Sequence, residues 1–144
     1  MRILLHFFTL FRTLNTVDGK MYGTVEHYFQ AEKFQDLNYA EKIRTVKSPK
    51  EAKKLGQSRD YQIKNDWNRI RNDVMFKGCL TKFEQHEDIR KMLLDTGNAT
   101  LIENARYDSY WGNGLQGNGK NMLGKTLMEI RDYLRNAYKV SIAK

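Results

Sequence analysis

The chain has 144 residues, of which 40% are hydrophobic and 29% charged, with a single proline. This length and composition predict one globular domain over residues 1–144 and exclude a disordered or collagenous chain. The net charge is +8, and residues 42–91 hold 14 Lys and Arg against 7 Asp and Glu. Such a surplus attracts phosphates of a nucleotide or nucleic acid, but on charge alone a solvated helical surface is the favoured interpretation.

One cysteine, Cys79, cannot form an intramolecular disulfide, which favours a reducing compartment, so we predict a cytoplasmic location. The three histidines, His6, His27 and His86, lack the i, i+4 spacing of a metal-binding helix and have no cysteine cluster beside them. We therefore predict no metal and no cofactor.

The hydrophobic segment ILLHFFTLF occupies residues 3–11. His6 interrupts it and no small-residue cleavage site follows, so a signal peptide is not predicted, and the segment is too short to span a bilayer. We predict no membrane association. Its β-branched and aromatic residues favour a buried strand that opens the domain. Asp18-Gly19 then predicts a tight hairpin turn, with Met21-Tyr22 in the next strand.

Thr24 is a typical N-cap for a first helix over residues 24–35. Helical spacing places Val25, Tyr28, Phe29 and Glu32 on one side of this helix. It places Glu26, Gln30 and Lys33 on an adjacent stripe, with the first and last about 10 Å apart along the axis. From the residues alone, a solvated salt-bridging face explains this stripe better than a binding site does.

Further elements follow in order. Ser48-Pro49 predicts a helix start, and Gly56 predicts its end. Apolar residues from Trp67 onward predict a longer helix with a bend or break at Gly78. The remaining predicted elements are a helix over residues 86–97, a strand at Thr100–Ile102 and a C-terminal helix with the stripe Leu123, Leu127, Ile130 and Leu134. The fold class is mainly α, α+β with a short N-terminal β-hairpin.

The segment DSYWGNGLQGNGKN, residues 108–121, combines an aspartate, two aromatics and four glycines before a helix. Glycines let main-chain amides approach a ligand, and the helix N-terminus favours a phosphate or a ribose hydroxyl. A flexible surface connection is an equally good interpretation. Trp111 is placed to stack on a base, whereas core packing is favoured for Trp67.

Part of this segment also matches the G-x-x-x-x-G-K pattern of a P-loop, but Asn121 stands where Ser or Thr would bind magnesium. The residues directly before the pattern, Tyr110-Trp111-Gly112, are not typical of a buried strand. We therefore predict no ATP hydrolysis.

The segment YGTVEHYFQAEKF, followed by DSYWGNG and GNGKNMLGKTLMEIR at matching spacing, resembles the motifs of the NADAR (YbiA-like) family. SPKEAKKLGQ and DWNRIRNDVM resemble its middle blocks, so the similarity covers residues 17–135. The resemblance implies a mainly helical YbiA-like fold and an N-glycosidase acting on ribosylated or ADP-ribosylated compounds. Some members are associated with ribosylamino intermediates of riboflavin synthesis and others with removing ADP-ribose from guanine in nucleic acid.

By motif position the resemblance implies catalytic roles for Glu26, Asp108 and Lys33. One carboxylate would stabilise an oxocarbenium-like state and the other would move a proton, while the lysine would be a ligand or, as we favour, a nucleophile. The implied substrate-binding residues are Gln30, Trp67, Trp111, Gly112, Asn118, Gly119 and Asn121. We expect both sets of residues to face one sugar-sized cleft.

Leu10 departs from the family, which has asparagine at this point of its opening block. The departure favours an altered substrate preference. Two other classes stay open: a non-catalytic reader of ADP-ribose or nucleotides, and a helical nucleic-acid binder with steep salt dependence. The retained catalytic residues argue against the reader. The sequence does not determine the oligomeric state.

Overall fold

The computed structural model describes residues 1–5 and 15–143. The strands are β1 (Arg2–Leu5), β2 (Asn15–Val17), β3 (Lys20–Tyr22) and β4 (Thr100–Glu103). The helices are α1 (Val25–Glu32), α2 (Leu37–Thr45), α3 (Pro49–Gly56), α4 (Trp67–Gln85), α5 (Glu87–Asp95) and α6 (Met122–Ala143). The mainly helical α+β class is confirmed. The described residues form two compact units, residues 15–85 and residues 1–5 with 86–143.

The predicted hairpin turn is confirmed. β2 and β3 pair antiparallel, and both turn residues are left-handed, Asp18 at φ 51° and Gly19 at φ 82°. Two consecutive left-handed residues match the right-handed twist of the flanking strands, which is why Asp-Gly is favoured there.

The opening segment behaves differently from the prediction. β1 pairs parallel with β4, from Arg2 beside Thr100 to Leu5 beside Glu103. Leu5 is buried but Leu4 is 57% exposed, so the strand is not buried along its length. The rest of the segment, including His6 and Leu10, lies outside the described residues.

Helix α1 is the central element of the unit formed by residues 15–85, where it packs against α2, α3 and α4. Thr24 caps it as predicted, accepting a hydrogen bond from the His27 amide. The His27 ring is buried, with Nδ1 2.8 Å from the Thr24 hydroxyl and Nε2 2.9 Å from the Val46 carbonyl. Because that carbonyl can only accept, Nε2 donates and Nδ1 accepts. Burial lowers the pKa of His27, which agrees with a neutral structural ring.

Helix α2 was not predicted from the sequence. Asp36 caps it by accepting from the Tyr39 amide at 3.0 Å. Tyr39 and Ile43, one turn apart, are its buried residues, and the Tyr39 hydroxyl donates to the Leu55 carbonyl at 2.6 Å. Only two residues of this short helix are buried, which gives too weak a periodic signal for prediction, so the helix depends on its cap and its tertiary contacts.

The predicted bend at Gly78 is wrong, because α4 runs unbroken from Trp67 to Gln85. A Cβ atom at Gly78 would lie 2.9 Å from Tyr28 Cδ2 and 3.2 Å from Val25 Cγ1. This glycine therefore permits close approach of α4 to α1 rather than breaking the helix.

The other unit contains β1, β4, α5 and α6. The predicted apolar stripe of α6, Leu123, Leu127, Ile130 and Leu134, is fully buried. Arg131 on the same helix is buried and donates to the Thr96 hydroxyl and the Ala99 carbonyl, both at 2.9 Å. These bonds fix the turn between α5 and β4. Throughout residues 1–5 and 15–143, no helix has the length and apolar character needed to cross a membrane.

Substituting Gly78 with alanine tests the contact between α4 and α1. Helix propensity alone favours alanine by about 1 kcal/mol, but overpacking costs about 1–3 kcal/mol. We therefore expect Gly78→Ala to lower the free energy of unfolding by about 1 kcal/mol, measured by urea denaturation. Asp73→Ala, at an exposed position of the same helix, is the control. A stabilised Gly78→Ala protein would contradict the close contact.

Candidate active site

The polar stripe of α1 is buried rather than solvated. Glu26 is 5% exposed and Gln30 is 8% exposed, while Lys33, which caps the helix C-terminus, is half-buried. The solvated salt-bridging face, which the residues alone favoured, is therefore wrong. Buried charged and polar side chains are costly unless they have partners, which makes this stripe a candidate site.

Glu26 and Gln30 are joined on consecutive turns of the helix. Gln30 Nε2 donates to Glu26 Oε1 at 3.2 Å. Because the carboxylate oxygen accepts, this contact assigns the amide nitrogen to that side and turns Gln30 Oε1 away. Gln30 Oε1 is buried and has no hydrogen-bond partner in the described structure. A buried acceptor without a partner requires an explanation, and a ligand that the side chain turns to meet is the one that we consider.

Lys33 is held from outside its own helix. Its Nζ donates to the Gly56 carbonyl oxygen of α3 at 2.8 Å. Burial lowers the pKa of Lys33, and the charge of Glu26 opposes this effect. A half-buried amine with a lowered pKa has a larger neutral fraction near neutral pH than an exposed lysine has. A lysine acts as a nucleophile only in its neutral form, so the direction of this pKa shift is compatible with the nucleophile role that we favoured for Lys33.

Gly56 is a site residue that the sequence analysis missed. Helix α3 ends at Gly56 as predicted, but the residue is buried and does not adopt the left-handed conformation of a typical glycine terminus. A Cβ atom at this position would lie 1.9 Å from Gln30 Oε1. A buried glycine next to a polar stripe is the sequence signal that could have indicated this contact.

Trp67 packs in the core, as favoured from the sequence. Its side chain is 7% exposed and its ring lies 4.9 Å from that of Phe29, at an interplanar angle of 56°. The substrate-binding role that the resemblance implies for Trp67 stays a prediction.

Asp108 organises the start of the glycine-rich loop. Its Oδ1 accepts from the amides of Tyr110, at 3.0 Å, and Trp111, at 2.8 Å. These two hydrogen bonds to one carboxylate oxygen form a local turn that fixes the backbone of the two aromatic residues. Their rings meet edge to face, with centroids 4.9 Å apart, and both side chains are partly exposed. Trp111 is therefore ordered by its neighbour and still accessible.

Two glycines of the loop, Gly112 and Gly119, permit close packing. A Cβ atom at Gly112 would lie 2.5 Å from Ala105 Cβ, and one at Gly119 would lie 2.6 Å from the Gly112 carbonyl oxygen. The Gly119 amide donates to the Asn113 carbonyl at 2.7 Å. The loop is hence a hydrogen-bonded structure rather than a loose connection. Asn118 is exposed within it.

The amides at the start of α6 are already used. Those of Asn121, Met122 and Leu123 donate to the carbonyls of Gly112, Tyr110 and Trp111 at 2.9–3.0 Å. They are not available to a phosphate, contrary to the expectation for this helix N-terminus. A phosphate contact through these three amides is therefore excluded in this conformation.

Asn121 links the loop to β4. It is left-handed, at φ 53°; its Oδ1 accepts from the Glu103 amide at 2.8 Å, and its Nδ2 donates to the Leu101 carbonyl at 2.9 Å. Both ends of its amide are thus occupied by the strand backbone. This position explains an asparagine where a P-loop has Ser or Thr, while a direct substrate contact by Asn121 stays a prediction.

The predicted site residues fall into two sets. Glu26, Gln30, Lys33 and Trp67 belong to the unit of residues 15–85, and the loop residues 108–121 belong to the other unit. The expectation of one cleft shared by both sets stays a prediction. Within the described ranges, no three or more His, Cys, Asp or Glu side chains are grouped so that they could hold a metal ion.

Comparison with known proteins adds independent information. A family model described as the NADAR domain matches residues 6–135. The chain is 48% identical to the N-glycosidase YbiA of Escherichia coli (strain K12) over 118 residues, 82% of this chain and 74% of the relative. It is 38% identical to a riboflavin biosynthesis protein of Vibrio vulnificus (strain YJ016) over 122 residues, 83% of this chain and 33% of that protein. The NMR structure of the E. coli protein YbiA matches with a TM-score of 0.86 and 40% identity, covering 96% of this chain and 89% of that one.

Replacing Asn121 with aspartate tests its structural position. The carboxylate cannot donate to the Leu101 carbonyl and places two acceptors in contact, so we expect a loss of about 2 kcal/mol in the free energy of unfolding. Thermal unfolding measures the change, with Asn118→Asp in the exposed part of the same loop as the control. Equal stability of the two variants would contradict the bridging role of Asn121.

Proposed function

We propose that this chain, which belongs to the NADAR family and is an N-glycosidase, cleaves the bond between ribose C1′ and a base nitrogen in ADP-ribosylated substrates, including guanine bases of nucleic acid. The observation that carries the proposal is the group formed by the buried Glu26 and Gln30 on α1 and the half-buried Lys33 at its C-terminus. It combines a carboxylate, an unsatisfied acceptor and an amine with a lowered pKa. The positive surplus over residues 42–91 supports a substrate that carries phosphates.

In the proposed reaction, Glu26 starts in its protonated form; the C1′–N bond breaks, its electron pair stays on the base nitrogen, and that nitrogen takes the proton of the Glu26 carboxyl group. Positive charge develops at C1′ in the transition state, and a carboxylate near it lowers the barrier. We assign this stabilisation to Asp108. We assign the proton transfer to Glu26 because its buried side chain lies on the same stripe as Lys33.

Lys33 then acts as the nucleophile. Its neutral amine bonds to C1′, and the amine proton returns to the Glu26 carboxylate. The C1′–O4′ bond then breaks, the ring oxygen takes the proton back from Glu26, and a protonated Schiff base forms between C1′ and Nζ. Water adds to this C=N bond and releases the sugar with C1′ as an aldehyde or hemiacetal, so the lysine is regenerated. The net change is consumption of one water for each free base released.

The substrate-binding roles proposed for Gln30 and for the loop residues are those that the family resemblance implies. Gln30 Oε1 would accept from a sugar hydroxyl or a base N–H, since it is buried without a partner. Trp111 would stack on the base, and Gly112, Asn118, Gly119 and Asn121 would shape the loop around the substrate. Trp67 would act through Phe29, on which it packs.

A second candidate substrate is a ribosylamino pyrimidine of the riboflavin pathway. The similarity to the riboflavin biosynthesis protein of V. vulnificus favours it. Such a compound carries the same type of bond, so the proposed chemistry at Glu26 and Lys33 is the same, and only the recognition of the base and phosphates differs.

Release of free base tests the function. The protein is incubated with ADP-ribosylated guanine DNA and, separately, with ribosylamino pyrimidines, and the base is quantified by mass spectrometry. We expect Lys33→Ala, Glu26→Gln and Asp108→Asn each to lower the rate by about 10²–10⁴-fold, the range for groups that transfer protons or act as nucleophiles. Lys125→Ala, an exposed lysine on α6, is the matched control. Turnover of neither substrate by the parent protein would favour a non-catalytic ADP-ribose reader.

Reductive trapping tests the role of Lys33. Borohydride added during turnover reduces a Schiff base to a stable amine, so we expect a sugar adduct on the peptide that contains Lys33. Because burial lowers the pKa of Lys33, the rate of trapping should rise with pH and level off below the pH at which exposed lysines lose their proton. Base release without any adduct would show that water attacks C1′ directly.

A further inference from the structure

We infer that Gly56 is a positioning residue for this site: its missing side chain leaves the space that the Gln30 amide fills, and its carbonyl oxygen holds the Lys33 amine. The catalytic consequence rests on the proposed function, whereas the contacts themselves are independent of it. Gly56 lies on α3, a different helix from the two residues that it contacts.

The first contact is steric. A Cβ atom on Gly56 would lie 1.9 Å from Oε1, 2.5 Å from Cδ and 3.1 Å from Cγ of Gln30. Real side chains do not approach so closely, so any residue other than glycine would displace the amide. Gln30 is 8% exposed and its Nε2 is bonded to Glu26, so the amide cannot move without losing that bond or crowding its neighbours.

The second contact is a hydrogen bond. The Gly56 carbonyl oxygen accepts from Lys33 Nζ at 2.8 Å. A neutral amine that donates one N–H to this oxygen has its lone pair directed away from it. The bond therefore selects one orientation of the nucleophile, which lowers the entropic cost of reaching the sugar carbon.

The two contacts act on the site together. The backbone of Gly56 limits the Gln30 amide on one side while Glu26 binds its nitrogen on the other, so the unsatisfied Oε1 has a fixed position. The same backbone fixes the end of Lys33. One glycine on α3 thus sets the spacing between the proposed hydroxyl acceptor and the proposed nucleophile.

Helix termination does not account for this glycine. Gly19, Gly97, Gly114 and Gly117 have positive φ angles, but Gly56 does not. Its backbone conformation is one that alanine adopts readily, so a requirement for glycine arises from the contact with Gln30.

A double-mutant cycle tests the steric contact. We expect Gly56→Ala to raise the equilibrium constant for unfolding by about tenfold, and to have no such effect in a Gln30→Ala background, where the space is free. The control is Gly23→Ala, where the new Cβ atom would meet only the His27 ring, at 3.4 Å. Destabilisation of the same size in both backgrounds would overturn the inference. So would a double variant that fails to fold.

Aldehyde capture tests the positioning of Lys33 without any substrate. Formaldehyde forms a Schiff base with a neutral amine, and cyanoborohydride supplies the hydride that makes the product permanent. Peptide mass spectrometry compares the modification rate of Lys33 with that of Lys125. Because displacement of the Gln30 amide disturbs the bond between Lys33 and the Gly56 carbonyl, we expect the ratio of the two rates to change by about threefold or more in Gly56→Ala and to stay constant in Gly23→Ala. An unchanged ratio in Gly56→Ala would overturn the positioning role.

These results separate the inference from the proposed function. If the ratio of the Lys33 and Lys125 modification rates differs between the parent and Gly56→Ala, but the parent releases no base from either substrate, the proposed function fails and the role of Gly56 stands. If base release by Gly56→Ala equals that of the parent in kcat and KM, the role of Gly56 in catalysis fails while the proposed function stands.

Discussion

The structure of residues 15–85 depends on one constraint, the burial of a polar stripe on α1. Buried polar atoms need hydrogen-bond partners. The segments that pack against α1 must therefore supply those partners. Glu26 is bonded by Gln30 within the helix, whereas Lys33 bonds to the α3 backbone at Gly56. This requirement draws α3 against α1 and leaves no room for a side chain at the contact. The remaining unsatisfied acceptor, Gln30 Oε1, is where a ligand can complete the arrangement.

The glycine-rich loop follows the same rule in the other unit. Asp108 and Asn121 use their side chains to satisfy backbone groups, and the first amides of α6 are consumed by the loop itself. Such a loop is rigid enough to present Trp111 in one orientation. The polar side chains therefore have a folding role, which makes stability measurements necessary beside kinetics when these residues are substituted.

Local signals were sufficient to predict the hairpin turn at Asp18-Gly19, the cap at Thr24 and the stripe of α6. Each is determined by residues close in sequence. The parallel pairing of β1 with β4, the unbroken course of α4 through Gly78 and the role of Gly56 were not predictable in this way, because each depends on atoms from distant segments. The sequence placed Glu26, Gln30 and Lys33 on one stripe, but it favoured solvation. Only the packing of α2, α3 and α4 around α1 shows that the stripe is buried.

The central claim is that the buried stripe of α1 is where the sugar binds. Titration of ¹⁵N-labelled protein with ADP-ribose, followed by NMR, tests it directly through the side-chain amide of Gln30. The account predicts a large shift of the Gln30 NH₂ resonances and of the Gly56 amide at saturation, as a ligand donor reaches Oε1. Saturable binding that leaves both unchanged, with shifts confined to other regions, would contradict it.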